Sequence, residues 1–135
     1  MNGVLTGGCL CGDVTFEVKP EFKAFYLCHC KQCQQLTGSA FAANLFTEPD
    51  NIVWLKGQDK VTAYVHPTRE FTQSFCSSCG SAVPAINKSG KSLIVPSGSL
   101  LQDHEAVPDA NIFSTEKVCW FNDGASAKEF KAFPE

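Results

Sequence analysis

The sequence is poor in positive charge and lacks long apolar stretches. Arg69 is its only arginine, and the 14 acidic side chains outnumber the 11 basic ones, which gives a formal net charge of −3. Nucleic acids and anionic membrane surfaces bind proteins through clustered positive charge, so we expect neither as a partner. Apolar runs such as 40–43 are far shorter than a membrane-spanning helix, and we expect no span of a membrane.

Features of a secretory signal are also missing. Residues 1–8 contain neither a basic segment nor an apolar core. We therefore expect a cytoplasmic protein, in which a reducing environment keeps thiols free. Under that expectation the eight cysteines bind metal. Export after removal of a leader is the alternative, and it would favour structural disulfides.

Short alternating segments, separated by glycine and proline, predict a mainly β fold. Within residues 13–18, Val14, Phe16 and Val18 fall on one face at the period of a strand. The same reasoning predicts further strands at 51–55, 60–65 and 69–75, and more deeply buried ones at 40–46 and 93–95. No repeat or linker divides the chain, so we expect residues 1–135 to form a single domain.

Helix is expected only as one or two short turns. Residues 31–36 form a helical pattern that Gly38 is placed to end. Residues 126–131 could form a second helix, with Ser126 as its N-cap.

Two cysteine pairs have the spacing of zinc knuckles. Cys76 and Cys79 are followed by Gly80, and Cys9 and Cys11 are followed by Gly12. Structural zinc is held by four tetrahedral ligands that usually come from two such pairs, and the glycine relieves the backbone where amide N–H groups point at sulfur. The two pairs together predict a closed structural zinc site. Buried free thiols are the alternative.

A third group, Cys28, Cys30 and Cys33, places three thiols within six residues. Three protein ligands and a vacant position are typical of a catalytic or substrate-binding zinc, and the start of a helix favours thiolate. We therefore predict a second, open zinc site that activates a thiol. His29 or Cys119 could close it instead, although His29 lies between two ligands and should point away from their metal.

The three groups, in this order and spacing, resemble the glutathione-dependent formaldehyde-activating enzyme family, which also includes centromere protein V. The resemblance rests on residues 8–12, 28–33 with Gly38, and 75–81, with weaker matches at 97–100 and Trp120. It extends over roughly residues 6 to 120. Two positions depart from the family pattern, because Asn111 stands where relatives commonly carry histidine and Cys119 stands where they carry a small residue or proline.

This resemblance implies a β-tent of antiparallel sheets joined by two zinc ions. Structural zinc would be held by four cysteines: Cys9, Cys11, Cys76 and Cys79. The second zinc, which meets the substrate thiol, would be held by Cys28, Cys30 and Cys33. The implied reaction joins glutathione and formaldehyde into S-hydroxymethylglutathione and is formally a carbon–sulfur lyase reaction in reverse.

Several other residues have open alternatives. Lys31 could meet an acidic group of glutathione or be merely exposed, and Gln32 and Gln34 could bind substrate or cap sulfur. Residues 97–99 could contribute N–H groups to a pocket or form a plain turn. We expect solvated side chains at His66 and His104. Core positions are expected for four aromatic residues: Phe25, Phe41, Phe46 and Phe75.

Three functional classes follow from the cysteine groups. The first is a zinc-dependent carbon–sulfur lyase acting on a thiol adduct, with glutathione as the first candidate. The second is a non-catalytic binder or carrier of small thiols, and the third is a structural domain with both zinc sites closed. Exposed edge strands in a small β domain could also pair two copies into a homodimer.

Overall fold

The structure is a computed structural model that describes residues 3–134. These residues contain eleven β-strands, which are, in chain order, β1 (Leu5–Gly8), β2 (Thr15–Val18), β3 (Ala24–Cys28), β4 (Ala42–Thr47), β5 (Val53–Lys56), β6 (Val61–Val65), β7 (Thr72–Cys76), β8 (Ala82–Val83), β9 (Ala85–Ile86), β10 (Leu93–Pro96) and β11 (Ala110–Ile112). The two α-helices are α1 (Lys31–Thr37) and α2 (Phe121–Ala125). Short 3₁₀ turns occupy Gln58–Lys60, Ser97–Ser99 and Ser114–Glu116.

The strands form three sheets, with strand orders β1-β2-β5, β11-β3-β4-β10-β9 and β6-β7-β8. All pairs are antiparallel except one, because β11 runs parallel to β3 and places Ile112 beside Cys28. The mainly β class predicted from the sequence is therefore confirmed, and the antiparallel sheets that the resemblance implies are found with this one parallel pair added. A parallel partner must return from a distance along the chain, and local alternation carries no sign of it.

The main core lies between the first sheet and the five-stranded sheet. The predicted face of residues 13–18 is confirmed, because Val14, Phe16 and Val18 are all buried. The following residues form one apolar cluster: Leu5, Phe16, Val18, Phe25, Leu45, Leu93, Val95 and Leu100. A second cluster packs Val14 and Val83 against Cys9 and Cys76. Trp54 contacts both clusters.

Phe25 is a core residue, as expected, but Phe41, Phe46 and Phe75 are only half-buried. The predicted deep burial of residues 40–46 holds only at Ala40 and Leu45, because the other five side chains are half-buried. One face of β4 lines an open cleft, described below, and a cleft wall keeps its aromatic side chains partly accessible.

The helix predicted at 126–131 is wrong. Helix α2 lies just before it, and Ser126 is at its C-terminal end, where its N–H donates to the carbonyl of Asp123. Residues 126–131 are exposed throughout, and a short segment without a packing surface does not stay helical. Phe121 at the start of α2 does have such a surface, because its ring contacts His29 and Phe41.

Helix α1 agrees with the prediction. Cys30 is its N-cap, and Gly38 ends it in the left-handed conformation with φ 64° while its N–H donates to the carbonyl of Gln34. Across residues 3–134, no helix has the length and apolarity that crossing a membrane requires.

Candidate metal centres and the adjoining cleft

The two predicted knuckles meet in space. Sγ atoms of Cys9, Cys11, Cys76 and Cys79 all lie within 4.8 Å of one another, and we call this group the knuckle site. Cys9 and Cys11 follow β1, while Cys76 ends β7 and Cys79 lies in the turn after it. The site therefore joins the first sheet to the third.

Both knuckles turn in the same way. Gly12 and Gly80 adopt φ of 83° and 78°, a conformation that glycine accepts without steric cost. Each glycine N–H donates back across its turn, to the carbonyl of Cys9 in one knuckle and of Cys76 in the other. The N–H of Val14 donates to Sγ of Cys9 at 3.2 Å. Backbone N–H groups thus face the sulfur atoms, as in a structural metal site.

Hydrogen bonds favour thiolate at parts of the knuckle site. The hydroxyl of Ser81, together with the N–H groups of Ser81 and Cys11, lowers the pKa of Cys79 to about 5. Burial opposes ionisation of Cys9, but the Val14 N–H and neighbouring thiols outweigh it and lower the Cys9 pKa. The N–H of Asp13 favours the Cys11 thiolate, yet burial and adjacent thiols raise the pKa of Cys11 to about 12. The last proton on the group is therefore held tightly until a cation replaces it.

The second group also comes together. Sγ atoms of Cys28, Cys30 and Cys33 lie within 4.8 Å of one another, and all three side chains are buried; we call this group the helix site. Sγ of Cys30 caps α1 by accepting the N–H of Cys33 at 3.4 Å. Cys28 ends β3, so one strand end and one helix start supply all three sulfur atoms.

Burial dominates the electrostatics of the helix site. It raises the pKa values of the Cys28 and Cys33 thiols, and the neighbouring sulfur atoms of the group add to the rise at Cys33. Three buried thiols in contact carry protons unless a cation compensates their negative charge.

Both groups fit a zinc ion. Tetrahedral zinc with sulfur at about 2.3 Å places the sulfur atoms about 3.8 Å apart. The measured separations are 3.6 Å for Cys9–Cys11, 3.9 Å for Cys11–Cys76 and 3.5 Å for Cys28–Cys30. All eight cysteines are free thiols, so none is lost to a disulfide. Thiolates select soft metals, and zinc is the usual one.

Neither proposed fourth ligand joins the helix site. His29 is fully buried but points away, with Nε2 at 2.8 Å from Oδ1 of Asn111 and its ring between Phe41 and Phe121. Cys119 is exposed and lies outside the group. Among residues 3–134, no fourth Cys, His, Asp or Glu ligand atom completes the group, which leaves one side of the helix site open.

A cleft of about 380 Å³ adjoins the helix site and is lined by all three of its cysteines. Its other walls come from β3, β4, the 66–71 loop and the segment after β11. Polar or charged groups on these walls are Tyr26, Gln32, Asn44, Arg69, Glu70, Asn87 and Glu116. The volume is within the range of small-molecule sites.

A second cleft of about 260 Å³ shares Phe71 with the first. It also reaches Cys33 and Asn44, and its walls include Leu36 and Phe41. These clefts explain why Phe46 and Phe41 are only half-buried. Phe46 lines the first cleft and Phe41 lines the second.

Tyr26, Asn44 and Arg69 are cleft residues that the sequence reasoning missed. Arg69 falls at the start of the strand predicted at 69–75, whereas β7 begins at Thr72 and Arg69 belongs to the preceding loop. Lys31, considered as a contact for glutathione, is exposed and does not line the cleft; its N–H donates to Glu116. The only available signal was that Arg69 is the single arginine of the chain.

The remaining candidates are mainly structural. The Gln34 side chain donates to the carbonyls of His29 and Glu116 and caps no sulfur. Residues Ser97–Ser99 form a 3₁₀ turn, and Gly98 lines the second cleft. The expectation of a solvated His104 is wrong, because Nε2 bonds with the Ser97 hydroxyl at 2.8 Å and the ring packs edge-on against Phe25.

Comparison with known proteins agrees with this site. The family model described as glutathione-dependent formaldehyde-activating enzyme matches residues 4–116. The chain therefore belongs to that family. A crystal structure of a Rhodobacter sphaeroides protein, determined as a structural genomics target, is similar at 25% sequence identity and a TM-score of 0.58. The match covers 76% of this chain and 97% of that one.

Proposed function

We propose that this protein is a zinc-dependent enzyme of the carbon–sulfur lyase type, which joins a small thiol to formaldehyde or cleaves the adduct. Glutathione is the first candidate for the thiol. One observation carries the proposal: three buried sulfur atoms at the helix site line a cleft, and no fourth ligand from residues 3–134 closes the group. Family membership supports the same thiol and aldehyde. We further propose zinc at both sites, structural at the knuckle site.

Addition of a thiol to formaldehyde forms one carbon–sulfur bond and moves the thiol proton to the aldehyde oxygen. Zinc held by three thiolates with one open position would supply the positive charge that keeps a substrate thiol ionised at neutral pH. The protein would orient the reactants in the cleft. Tyr26 and Asn44 line it with hydrogen-bond donors that can stabilise the negative charge developing on the aldehyde oxygen.

A thiol binder or carrier is the second candidate. Thiols add to formaldehyde readily without help, so the same open site would serve capture without turnover. A structural domain with two closed zinc sites is disfavoured by the open helix site. We also propose that residues 1–135 form one cytoplasmic domain. A homodimer could form through an edge strand such as β6, whose residues 62–65 are exposed.

Metal analysis and exchange spectroscopy test these proposals. We expect two zinc ions per chain. We also expect the protein to accelerate the exchange between the free reactants, glutathione and formaldehyde, and their adduct S-hydroxymethylglutathione. Cys30→Ser should remove the second zinc and the acceleration while keeping the fold, because a serine hydroxyl also caps a helix. Cys119→Ser, outside both sites, is the matched control and should behave as wild type. Thiol binding without acceleration would favour the carrier, and a single zinc per chain would overturn the open site.

A further inference from the structure

Among residues 3–134, Arg69 provides the one cationic side chain that lines the helix-site cleft. Its neighbours on the wall include Glu70 and Glu116, and the three cysteines add negative charge when they ionise. A negatively charged substrate group therefore has one favourable place in this cleft. That place is beside the guanidinium.

The 66–71 loop is built to hold Arg69 at the cleft. Nδ1 of His66 accepts the N–H groups of Thr68 and Arg69 at 3.2 and 3.1 Å, which closes a tight turn. From outside the loop, Nζ of Lys88 donates to the carbonyl oxygens of His66 and Arg69 at 2.8 and 2.9 Å. Both ends of the turn are thus fixed by side chains, and the Arg69 backbone does not depend on its own guanidinium.

The guanidinium of Arg69 contacts Gln32, which lies in α1 between two cysteines of the helix site. In the amide orientation that satisfies both groups, the oxygen of Gln32 accepts from Nη1 and Nε of Arg69. A guanidinium has five N–H donors, so three remain available after these two contacts. Within residues 3–134, Arg69 has no ion-pair partner.

The acidic residues of the cleft are already engaged elsewhere. Glu70 accepts the N–H of Ser89 at 2.7 Å, and Glu116 accepts the N–H of Lys31 at 3.0 Å. Both carboxylates are therefore held in place on the wall, away from an ion pair with Arg69. Both repel a carboxylate of a bound substrate, and Arg69 is then the group in the cleft that attracts it.

We propose that Arg69 binds a carboxylate of the substrate, so that the helix site binds small thiols that carry one more tightly than thiols that lack one. This inference rests on the proposed binding of a thiol at the open helix site. Planar guanidinium and planar carboxylate pair through two parallel hydrogen bonds, which gives direction as well as charge. Thiols without a carboxylate would meet only the metal.

Isothermal titration calorimetry on the zinc-loaded protein tests this assignment with three probes. Glutathione carries carboxylates, glutathione diethyl ester has them blocked, and 2-mercaptoethanol has none. Arg69→Met should weaken glutathione binding about ten- to a hundredfold, the range of a charge-assisted hydrogen bond, and leave 2-mercaptoethanol unchanged. Arg69→Lys should be intermediate, because an ammonium is a point charge. Lys128→Met removes one exposed positive charge elsewhere and serves as the control.

Each outcome separates the two proposals. Selective loss of glutathione binding in Arg69→Met, with the ester already weak in the wild type, would support the carboxylate contact. Unchanged glutathione binding, or an equal loss for all three probes, would overturn it and assign Arg69 to the loop alone. Absence of 2-mercaptoethanol binding to the wild type would instead overturn the open thiol site itself.

Discussion

Nε2 of His29 and Oδ1 of Asn111 lie 2.8 Å apart and join the helix site to the distant strand β11. A carboxamide oxygen can only accept, so Nε2 carries the proton. Nδ1 of His29 is buried and has no hydrogen-bond partner among residues 3–134. The side chain of His29 therefore points away from the cleft and anchors the segment 28–30 to Asn111, while the neighbouring cysteines line the cleft.

Loss of this contact should destabilise the protein. Asn111→Ala would leave both ring nitrogens of a buried histidine unpaired, and we expect the free energy of unfolding to fall by about 1–3 kcal/mol. Asn111→Asp keeps an acceptor for Nε2 and should cost less. Urea denaturation of the zinc-loaded proteins measures the difference. Equal stability of the alanine and aspartate variants would show that the hydrogen bond contributes nothing.

Removal of one knuckle ligand should unfold the protein. Structural zinc contributes about 10–16 kcal/mol in small zinc domains, as much as the whole stability of a typical domain. Cys79→Ser is therefore expected to lose the knuckle-site zinc together with native circular dichroism. Chelation of the wild type should have the same effect. A Cys79→Ser protein with two zinc ions and a native melting temperature would contradict the assignment.

Lowering the pH should release zinc from the helix site before it releases zinc from the knuckle site. Binding of zinc displaces protons from thiols, and more protons are displaced where thiol pKa values are raised. At the helix site burial raises the pKa values of Cys28 and Cys33, whereas at the knuckle site the lowered pKa values of Cys9 and Cys79 offset the raised pKa of Cys11. Metal affinity of the helix site should then fall more steeply as pH decreases from neutral. Zinc release followed with a colorimetric chelator should show two steps, and Cys30→Ser should lack the first.

A glycine beside the knuckle site should tolerate no side chain. Gly57 adopts φ 77°, and a Cβ there would overlap the carbonyl oxygen of Asp13. Gly57→Ala is expected to cost about 2–5 kcal/mol, from the backbone conformation and the steric overlap together. Gly90 has nearly the same φ, 79°, but open space around it, so Gly90→Ala should cost about 1–2 kcal/mol. Equal melting temperatures for the two variants would contradict this account.

Much of the fold could be predicted because it depends on local patterns. Alternation over residues 13–18 identified β2 and its buried face, and Gly38 correctly predicted the end of α1. The second helix was misplaced because residues 126–131 include the strong helix formers Ala, Lys and Glu, whereas residues 121–125 include Asn, Asp and Gly, which are poor ones. What separates them is the contact of Phe121 with His29 and Phe41, which arises only after the chain has folded.

The cysteine spacing by itself determined that two groups of thiols exist and how they divide, because short chelating pairs are a local property of the chain. Tertiary structure alone decided that His29 turns away, that Cys119 stays outside and that Arg69 enters the cleft. Each of these depends on segments far apart in sequence: β11 for His29, and the turn that carries Lys88 for Arg69. Packing between such segments is set by the whole chain, and so local sequence could not reveal it.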